Sequence, residues 1–404
     1  MLKVKSHTIY FDYAATTPLD LEVKQEMDLV WEKYGNPSSL HSKGYEAKVA
    51  LDSAREKIAK ILGARMDEVI FTSGGTESDN LAIFGYARAN KNKGNHIIVS
   101  AIEHHGVLEP AHQLEKEGFE VTYLPVDKDG IVDLKVFKKS LRPETILVSM
   151  MYANNEIGTI QPITEISKII RNFCEVKSQM SNVKSSKSAM PILHTDACQA
   201  AGFLDLSVKN LGVDMMTINA GKIYGPKGVG LLYIKKGLQI EPMIYGGGQE
   251  FGLRAGTENL AGVIGFAKAL ELVQKNKEKE SVRLLKLRDY LKERIANEIP
   301  KIKFNGDFKN RLPGNLNVSI LDIEGESLVL YLDNAGICVS SGSACTSKSL
   351  EPSHVILALG EPHEVAHSSL RFSLGHYTTK EDIDYVMEVL PGIVRKLRSI
   401  SPLR

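Results

Sequence analysis

The chain has 404 residues, of which 43% are hydrophobic and 25% charged, and its 50 basic and 49 acidic side chains give a formal net charge of +1. This length indicates two or three domains, and the composition excludes disordered, collagen-like and coiled-coil proteins. The near-neutral charge argues against direct nucleic-acid binding, which usually needs a basic excess.

The four cysteines form no CxxC pair, which argues against a disulfide framework and a structural zinc site. The first residues contain no apolar run of secretory length, and no segment reaches the roughly 20 apolar residues that span a bilayer. We therefore expect a cytoplasmic protein with reduced thiols and no membrane contact.

Apolar runs alternate with helix-periodic segments up to about residue 260, a pattern typical of an α/β fold with a parallel sheet. The predicted strands are Val69–Thr72, His96–Ser100, Thr145–Met151, Ile192–Thr195, Met215–Ile218 and Gly230–Ile234. Amphipathic helices are predicted at Ser78–Asn90 and Ile163–Cys174. The Ser/Lys-rich segment Glu175–Met190 is predicted to be an exposed loop.

A smaller α+β unit is predicted beyond residue 260. It starts with a long, charged, helix-periodic segment at Gly262–Glu298. Shorter strands are predicted at Asn315–Ile320, Val339–Ser340 and Leu370–Ser373.

A strand–glycine–helix junction follows Val69–Thr72. Gly74 and Gly75 would let the backbone approach a ligand, and the helix that opens at Thr76 would offer N–H groups to an anion. The alternative is purely structural, because Thr76 and Asp79 have the spacing of a capping box.

Two charged residues follow predicted strands at the edge where α/β sheets collect ligands. Asp196 would need a cation or a protonated ring nitrogen there, although a helix N-cap role is equally compatible. Lys222 could lose its proton by desolvation and form a Schiff base, whereas a solvent-facing lysine is the alternative. Lys227 is the other lysine of this segment that could form the Schiff base, but its neighbours Pro226 and Gly228 predict that it lies at a loop tip.

Cys345 lies in a run of small, flexible residues, Ser341–Ser347, that is unsuited to a packed core. An exposed, mobile thiol is a candidate nucleophile. The alternative is an incidental surface cysteine.

These residues belong to a set of ordered motifs that resembles the cysteine desulfurases of the NifS/IscS type, pyridoxal-phosphate enzymes of the class V aminotransferase-like group. The resemblance runs nearly end to end. Its motifs are YFDYAATTP, NPSS, FTSGGTESDN, EHHGVLE, NNEIGTIQP, HTDACQAAG, GKIYGPKGVG, GGGQEFGLRAGTEN, SSGSACTS and HSSLRFSLG.

The resemblance implies a fold-type I architecture: a large, mainly parallel seven-stranded sheet flanked by helices, plus a smaller α+β domain. The large cofactor-binding domain would span residues 17–260. Residues 1–16 and 261–404 would form the small domain, with a mobile cysteine loop at about 340–352.

The resemblance also implies the site. Lys222 would hold pyridoxal phosphate, Asp196 would pair with the ring nitrogen, and His104 would stack on the ring and assist proton transfer. Gln199 would bond the ring hydroxyl, and Asn155 and Arg371 would bind the substrate carboxylate. The phosphate would be held by Gly75, Thr76, Asn219 and, from the second subunit of a homodimer, Thr257.

The implied reaction converts L-cysteine to L-alanine and leaves a persulfide on Cys345. Sulfur would pass to an acceptor such as an iron–sulfur scaffold protein or a tRNA-thiolation protein. The family resemblance also permits Cys345 to act as a transient ligand of an iron–sulfur cluster.

One departure from the family pattern lies directly before the lysine. The family usually carries Ser-x-His there, and this chain has Asn219-Ala220-Gly221. Losing one charge-assisted contact would cost about 1.5–3 kcal/mol of phosphate binding. Gly221 supports one alternative to a desulfurase, a weakly active scaffold. A second alternative is a related lyase such as a selenocysteine lyase, which shares Lys222 and Asp196 but does not require Cys345.

Overall fold

The computed structural model describes residues 8–180, 190–341 and 351–401. The strands are β1 (Ile9–Tyr10), β2 (Val69–Thr72), β3 (His96–Ser100), β4 (Glu120–Leu124), β5 (Thr145–Ser149), β6 (Ile192–Asp196), β7 (Met215–Asn219), β8 (Gly230–Ile234), β9 (Ile302–Phe304), β10 (Asn315–Ile320), β11 (Ile337–Cys338), β12 (Ser340–Ser341) and β13 (Ser369–Ser373). The helices are α1 (Leu21–Asp28), α2 (Ser42–Leu62), α3 (Gly75–Asn80), α4 (Tyr86–Ala89), α5 (His105–Lys116), α6 (Leu134–Ser140), α7 (Ile163–Met180), α8 (Val208–Leu211), α9 (Leu260–Glu298), α10 (Gly325–Asp333), α11 (His354–Ala358), α12 (His363–His367) and α13 (Lys380–Ile400).

Seven strands form the large sheet, in the order β2-β8-β7-β6-β5-β3-β4. All neighbouring pairs are parallel except those that β8 makes with β2 and β7. Every residue of β3, β5 and β6 is buried, which explains why these strands appear in the sequence as continuous apolar runs. The predicted large, mainly parallel, seven-stranded sheet is therefore confirmed.

A second, four-stranded sheet has the order β12-β13-β10-β9 and is antiparallel throughout. It packs with α13 and the second half of α9 around a separate apolar core that includes Phe11, Leu291 and Phe372. The 39-residue helix α9 belongs to both cores, because its first turns pack on the large sheet's core and its later turns on the small one.

Most predicted elements match within one or two residues, but two differ. The loop predicted at 175–190 is wrong for residues 175–180, which continue α7 because they contain neither Gly nor Pro. The predicted helix Ser78–Asn90 is part of a longer helical run in which a π-helical segment, Leu81–Gly85, separates α3 from α4. No helix among the described residues is long and apolar enough to cross a membrane.

Candidate active site

The charged residues predicted to carry chemistry meet at one edge of the large sheet. Asp196 ends β6, and Lys222 lies in a short 3₁₀ turn directly after β7. The Gly74–Gly75 turn follows β2, which is parallel to β7 because both are antiparallel to β8. The carboxyl ends of parallel strands are where α/β proteins bind ligands.

Asp196 is 8% exposed, and its Oδ1 accepts a hydrogen bond of 2.8 Å from the backbone N–H of Cys198. The helix N-cap role considered from the sequence is wrong, because a turn and not a helix follows β6, and this contact belongs to that turn. A carboxylate can accept several hydrogen bonds, so this contact leaves capacity for a protonated ring nitrogen.

His104 is the N-cap residue of α5, and its Nδ1 accepts a hydrogen bond of 2.9 Å from Gly106 N–H. A neutral ring whose Nδ1 is an acceptor carries its proton on Nε2. Burial lowers the pKa of His104 below its usual value; the Asp196 carboxylate opposes this shift and the Lys222 ammonium adds to it. His104 is therefore a neutral imidazole within electrostatic reach of both residues.

The N-terminal segment holds Lys222. The Lys222 ammonium donates to the carbonyl oxygens of Ala14, at 3.0 Å, and Ala15, at 2.6 Å. Gln199 Nε2 donates to the same Ala14 oxygen at 2.9 Å. Sequence reasoning assigned no role to Ala14 or Ala15, although the motif YFDYAATTP was the signal that could have identified them.

Gly221 contributes its backbone alone. Its N–H donates to Asn219 Oδ1 at 3.0 Å, and its carbonyl oxygen accepts from Thr17 N–H at 3.0 Å. A Cβ at this position would lie 3.5 Å from Asn219 Oδ1 and 3.7 Å from Lys227 Cγ, which are ordinary contacts. Steric exclusion of a β-carbon therefore does not account for the glycine.

The turn after β2 has the form of an anion cradle. Gly74 is the N-cap of α3, and a Cβ on Gly75 would lie 2.9 Å from Cys198 Sγ and 3.6 Å from Asn219 Nδ2. The first N–H groups of a helix have no intrahelical acceptor and favour anions. Thr76 is exposed beside them.

The capping box predicted for Thr76 and Asp79 is wrong, because α3 has no side-chain cap at its N-cap residue Gly74. Asp79 is instead 1% exposed, and its Oδ1 lies 3.7 Å from His194 Nε2. His194 bonds Ser149 and Thr217 through its two ring nitrogens, at 2.8 and 3.0 Å. His194 is thus a buried core histidine whose two ring nitrogens both have partners.

Arg371 and Asn155 lie together where β13 approaches the large sheet. Arg371 Nη1 donates to the Asn155 carbonyl oxygen at 2.9 Å, and Nη2 donates to Asp12 Oδ1 at 2.7 Å. The arginine is 4% exposed, and its buried Nε has no acceptor among the described residues. Asp12 is a neighbour that the sequence did not predict.

Two predicted residues lie apart from this arrangement. Thr257 lines a hollow beside Ser73 and Gly228, on the loop that follows β8. Cys345, predicted as nucleophile and as a transient cluster ligand, lies outside the described residues, as does most of its predicted loop. The described residues on either side of that loop nevertheless adjoin the site: Ser340 pairs with Arg371, and His354 Nε2 lies 3.0 Å from the Glu103 carbonyl oxygen.

The comparisons with known proteins agree on one family. The family described as aminotransferase class-V matches residues 9–386. A cysteine desulfurase IscS of Dictyoglomus turgidum is 54% identical over 397 residues, which cover 98% of this chain and 97% of that relative. The chain belongs to the cysteine desulfurase family.

Solved structures of similar proteins support the same assignment. A NifS-like protein superposes with a TM-score of 0.87 at 38% identity, covering 96% of this chain and all (100%) of that one. SspA, solved in complex with cysteine, gives a TM-score of 0.78 at 34% identity, covering 92% of this chain and 100% of SspA. The fold-type I architecture expected from the sequence is thereby confirmed.

Cysteine desulfurases and class-V aminotransferases generally use pyridoxal phosphate, and the residues of this site fit that group. The glycine turn offers backbone donors to a phosphate, Asp196 offers a carboxylate to a pyridinium nitrogen, and Lys222 offers an amine to an aldehyde.

Proposed function

We propose that this enzyme takes sulfur from L-cysteine, releases L-alanine and holds the sulfur as a persulfide on Cys345. The carbon–sulfur bond of the substrate breaks, and a sulfur–sulfur bond to the Cys345 thiol forms. One cysteine and one thiol thus give one alanine and one persulfide, without an external oxidant. The observation that carries the proposal is the meeting of Lys222, Asp196 and His104 at one edge of the sheet.

We propose that pyridoxal phosphate binds there. Lys222 would hold its aldehyde, Asp196 its ring nitrogen and Gln199 its ring hydroxyl. The phosphate would be bound by Gly75, Thr76 and Asn219, and by Thr257 from the second subunit. When bound, the cofactor supplies an electron sink for bond breaking at the substrate's α- and β-carbons.

The protein's own groups would handle the protons and orient the substrate. His104 would assist proton transfer through Nε2, which carries the ring proton because Nδ1 accepts the hydrogen bond from Gly106 N–H. Arg371 would orient the substrate carboxylate with Asn155, and its buried Nε–H supports this role because that donor has no acceptor among the described residues.

We propose a homodimer, because the segment 29–45 exposes several large apolar side chains that a monomer would leave in water. They are Leu29, Trp31, Tyr34, Leu40 and Tyr45, each at least 67% exposed. Sedimentation as a monomer at micromolar concentration would contradict this proposal.

We further propose that the sulfur acceptor is an iron–sulfur scaffold or tRNA-thiolation protein. We also propose that the enzyme is cytoplasmic, because a persulfide-forming thiol needs a reducing compartment. Failure of both acceptor classes to take sulfur from the loaded enzyme would contradict the first claim. Recovery of the enzyme outside the cytoplasmic fraction would contradict the second.

The test combines a spectrum with a product assay. Protein incubated with pyridoxal phosphate and then desalted is expected to absorb in the visible and to form alanine from L-cysteine. Lys222→Ala is expected to lose both properties. Lys227→Ala is the matched control, because this exposed lysine lies five residues further along the chain, and it should keep both.

A colourless wild-type protein that forms no alanine would overturn the proposed function and favour the scaffold alternative. Full activity of Lys222→Ala would overturn the assignment of the lysine.

A further inference from the structure

Arg55 and Glu250 form an ion pair inside the protein, away from the residues that would touch the cofactor. Their side chains are 5% and 2% exposed, and two parallel hydrogen bonds of 2.8 and 2.7 Å join them. Arg55 lies on α2, and Glu250 lies on the loop between β8 and α9, so the pair joins distant parts of the chain.

The pair is attached to β2 at both ends. Arg55 also donates to the Val69 carbonyl oxygen, and Glu250 Oε2 accepts a hydrogen bond of 2.8 Å from Phe71 N–H. The Arg55 guanidinium lies 4.6 Å from the centroid of the Phe71 ring. Because β2 leads directly into the Gly74–Gly75 turn, the pair anchors the loop between β8 and α9 to the strand that precedes the proposed phosphate-binding turn.

The loop is strained at the point where the pair holds it. Glu250 and Phe251 have φ angles of 47° and 58°, in the left-handed region that residues with a side chain rarely occupy. The Arg55 guanidinium also lies 5.3 Å from the Phe251 ring centroid. Such a conformation persists only where surrounding contacts determine it, and Arg55 supplies them here.

A second contact ties the other end of the loop to the same turn. Arg254 Nε donates to Glu77 Oε1 at 3.0 Å, and Glu77 Oε2 accepts a hydrogen bond of 2.9 Å from Ser73 N–H. Burial opposes ionisation of Glu77, but the bonds from Arg254 and Ser73 prevail and lower its pKa. Thr257 follows Arg254 by three residues.

We infer that Arg55 is a positioning residue for the cofactor-phosphate site: its pair with Glu250 fixes β2, which leads into the subunit's own Gly75–Thr76 turn, against the strained loop that carries Thr257 toward the phosphate of the second subunit. The inference rests on the proposed function, since it concerns the phosphate of the proposed cofactor. A buried ion pair often adds little stability over apolar side chains of similar size. We therefore expect the pair to contribute mainly by fixing the position of the loop relative to β2.

The test compares two ligands on one pair of variants. Arg55→Met with Glu250→Gln removes the charges and keeps the approximate volumes. The affinity for pyridoxal phosphate, followed by visible absorption, is expected to fall about tenfold or more. The affinity for pyridoxal, which has no phosphate, is expected to stay within about twofold, because only the phosphate contacts lose their spacing.

Arg88→Met with Glu117→Gln is the matched control. Arg88 and Glu117 are also joined by two hydrogen bonds, at 3.0 and 2.7 Å, but they lie on the surface. This variant should bind both ligands like the wild type. If the double variant at Arg55 and Glu250 does not fold, Glu250→Gln alone replaces it, because the amide oxygen can still accept from Phe71.

Equal loss of both ligands, or unchanged affinity for pyridoxal phosphate, would overturn the inference. A wild-type protein that binds neither ligand would overturn the proposed function and this inference with it. Activity at saturating cofactor gives a second readout: a positioning role raises the half-saturating cofactor concentration and leaves the maximal rate within about twofold.

Discussion

Three carboxyl groups in the site, those of Glu103, Asp79 and Asp196, interact electrostatically, and their surroundings shift their pKa values differently. Burial raises the pKa of Glu103 to about 8, and it raises the pKa of Asp79 well above its usual range. The charge of Asp196 adds to both shifts. Both shifts favour the neutral forms of Glu103 and Asp79 beside Asp196, the carboxylate that we assign to the ring nitrogen.

Glu103 should give the protein a pH-dependent stability. Its carboxyl stays protonated in the folded state up to about pH 8, whereas in the unfolded chain it ionises near its ordinary value of 4.5. Unfolding then releases a proton between these values, so the free energy of unfolding falls as pH rises. Glu103→Gln should flatten this slope by up to about 1.4 kcal/mol per pH unit.

Urea denaturation at pH 5 and pH 8 measures the slope. Glu109→Gln, on the exposed side of α5, is the control and should behave as wild type. A Glu103→Gln slope equal to that of the wild type would show that Glu103 is ionised in the folded protein.

The sequence identified the residues that follow strands, such as Asp196 and Lys222, because a strand end is visible in a local apolar pattern. It did not identify Arg55 or Glu250, whose pairing spans 195 positions along the chain. It misassigned Asp79 because the contact with His194 that explains its burial comes from another strand of the sheet.

At the scale of elements, the β2–α3 turn depends on a close fit between Gly75 and Cys198. The Cys198 thiol occupies the space that a side chain at position 75 would need, at 2.9 Å. Burial, together with the charges of Asp196 and Asp79, raises the pKa of this thiol, so it remains protonated. Cys198 thus fills space beneath the turn and is a poor nucleophile.

Gly75→Ala should therefore destabilise the protein by about 1–3 kcal/mol through overpacking and weaken cofactor binding. Adding Cys198→Ala should restore most of both losses, since it removes the colliding atom. Chemical denaturation and cofactor titration of the single and double variants measure the coupling.

Gly230→Ala is the control, because its Cβ would lie 2.7 Å from the backbone of Gly74, which cannot move aside as a side chain does. Cys198→Ala should not rescue it. Additive effects of Gly75→Ala and Cys198→Ala would contradict the proposed fit.

At the scale of the molecule, the N-terminal segment connects the two sheets at the site. β1 pairs with β11, Asp12 accepts a hydrogen bond from Arg371 on β13, and the carbonyl oxygens of Ala14 and Ala15 accept hydrogen bonds from Lys222 after β7.

We propose that residues 17–260 form one domain and that residues 1–16 and 261–404 form the other. Independent unfolding of a fragment spanning 17–260 tests this division, and a fragment that does not fold would contradict it.

The alternation of strand and helix patterns predicted six strands of the large sheet but not its edge strand β4, and the expected number of seven strands came from the family resemblance. It did not predict how the N-terminal segment crosses to Lys222, because that path depends on backbone carbonyl groups, which every residue carries and no sequence pattern marks.

The most direct test of the whole account is a single turnover of cofactor-loaded enzyme with L-cysteine, followed by mass analysis of its peptides. We expect one alanine per subunit and one additional sulfur atom on Cys345, located by fragmentation of the peptide that contains both Cys338 and Cys345, with none on Cys338. Alanine formation by Cys345→Ser at the wild-type rate, or the additional sulfur on another cysteine, would contradict the account.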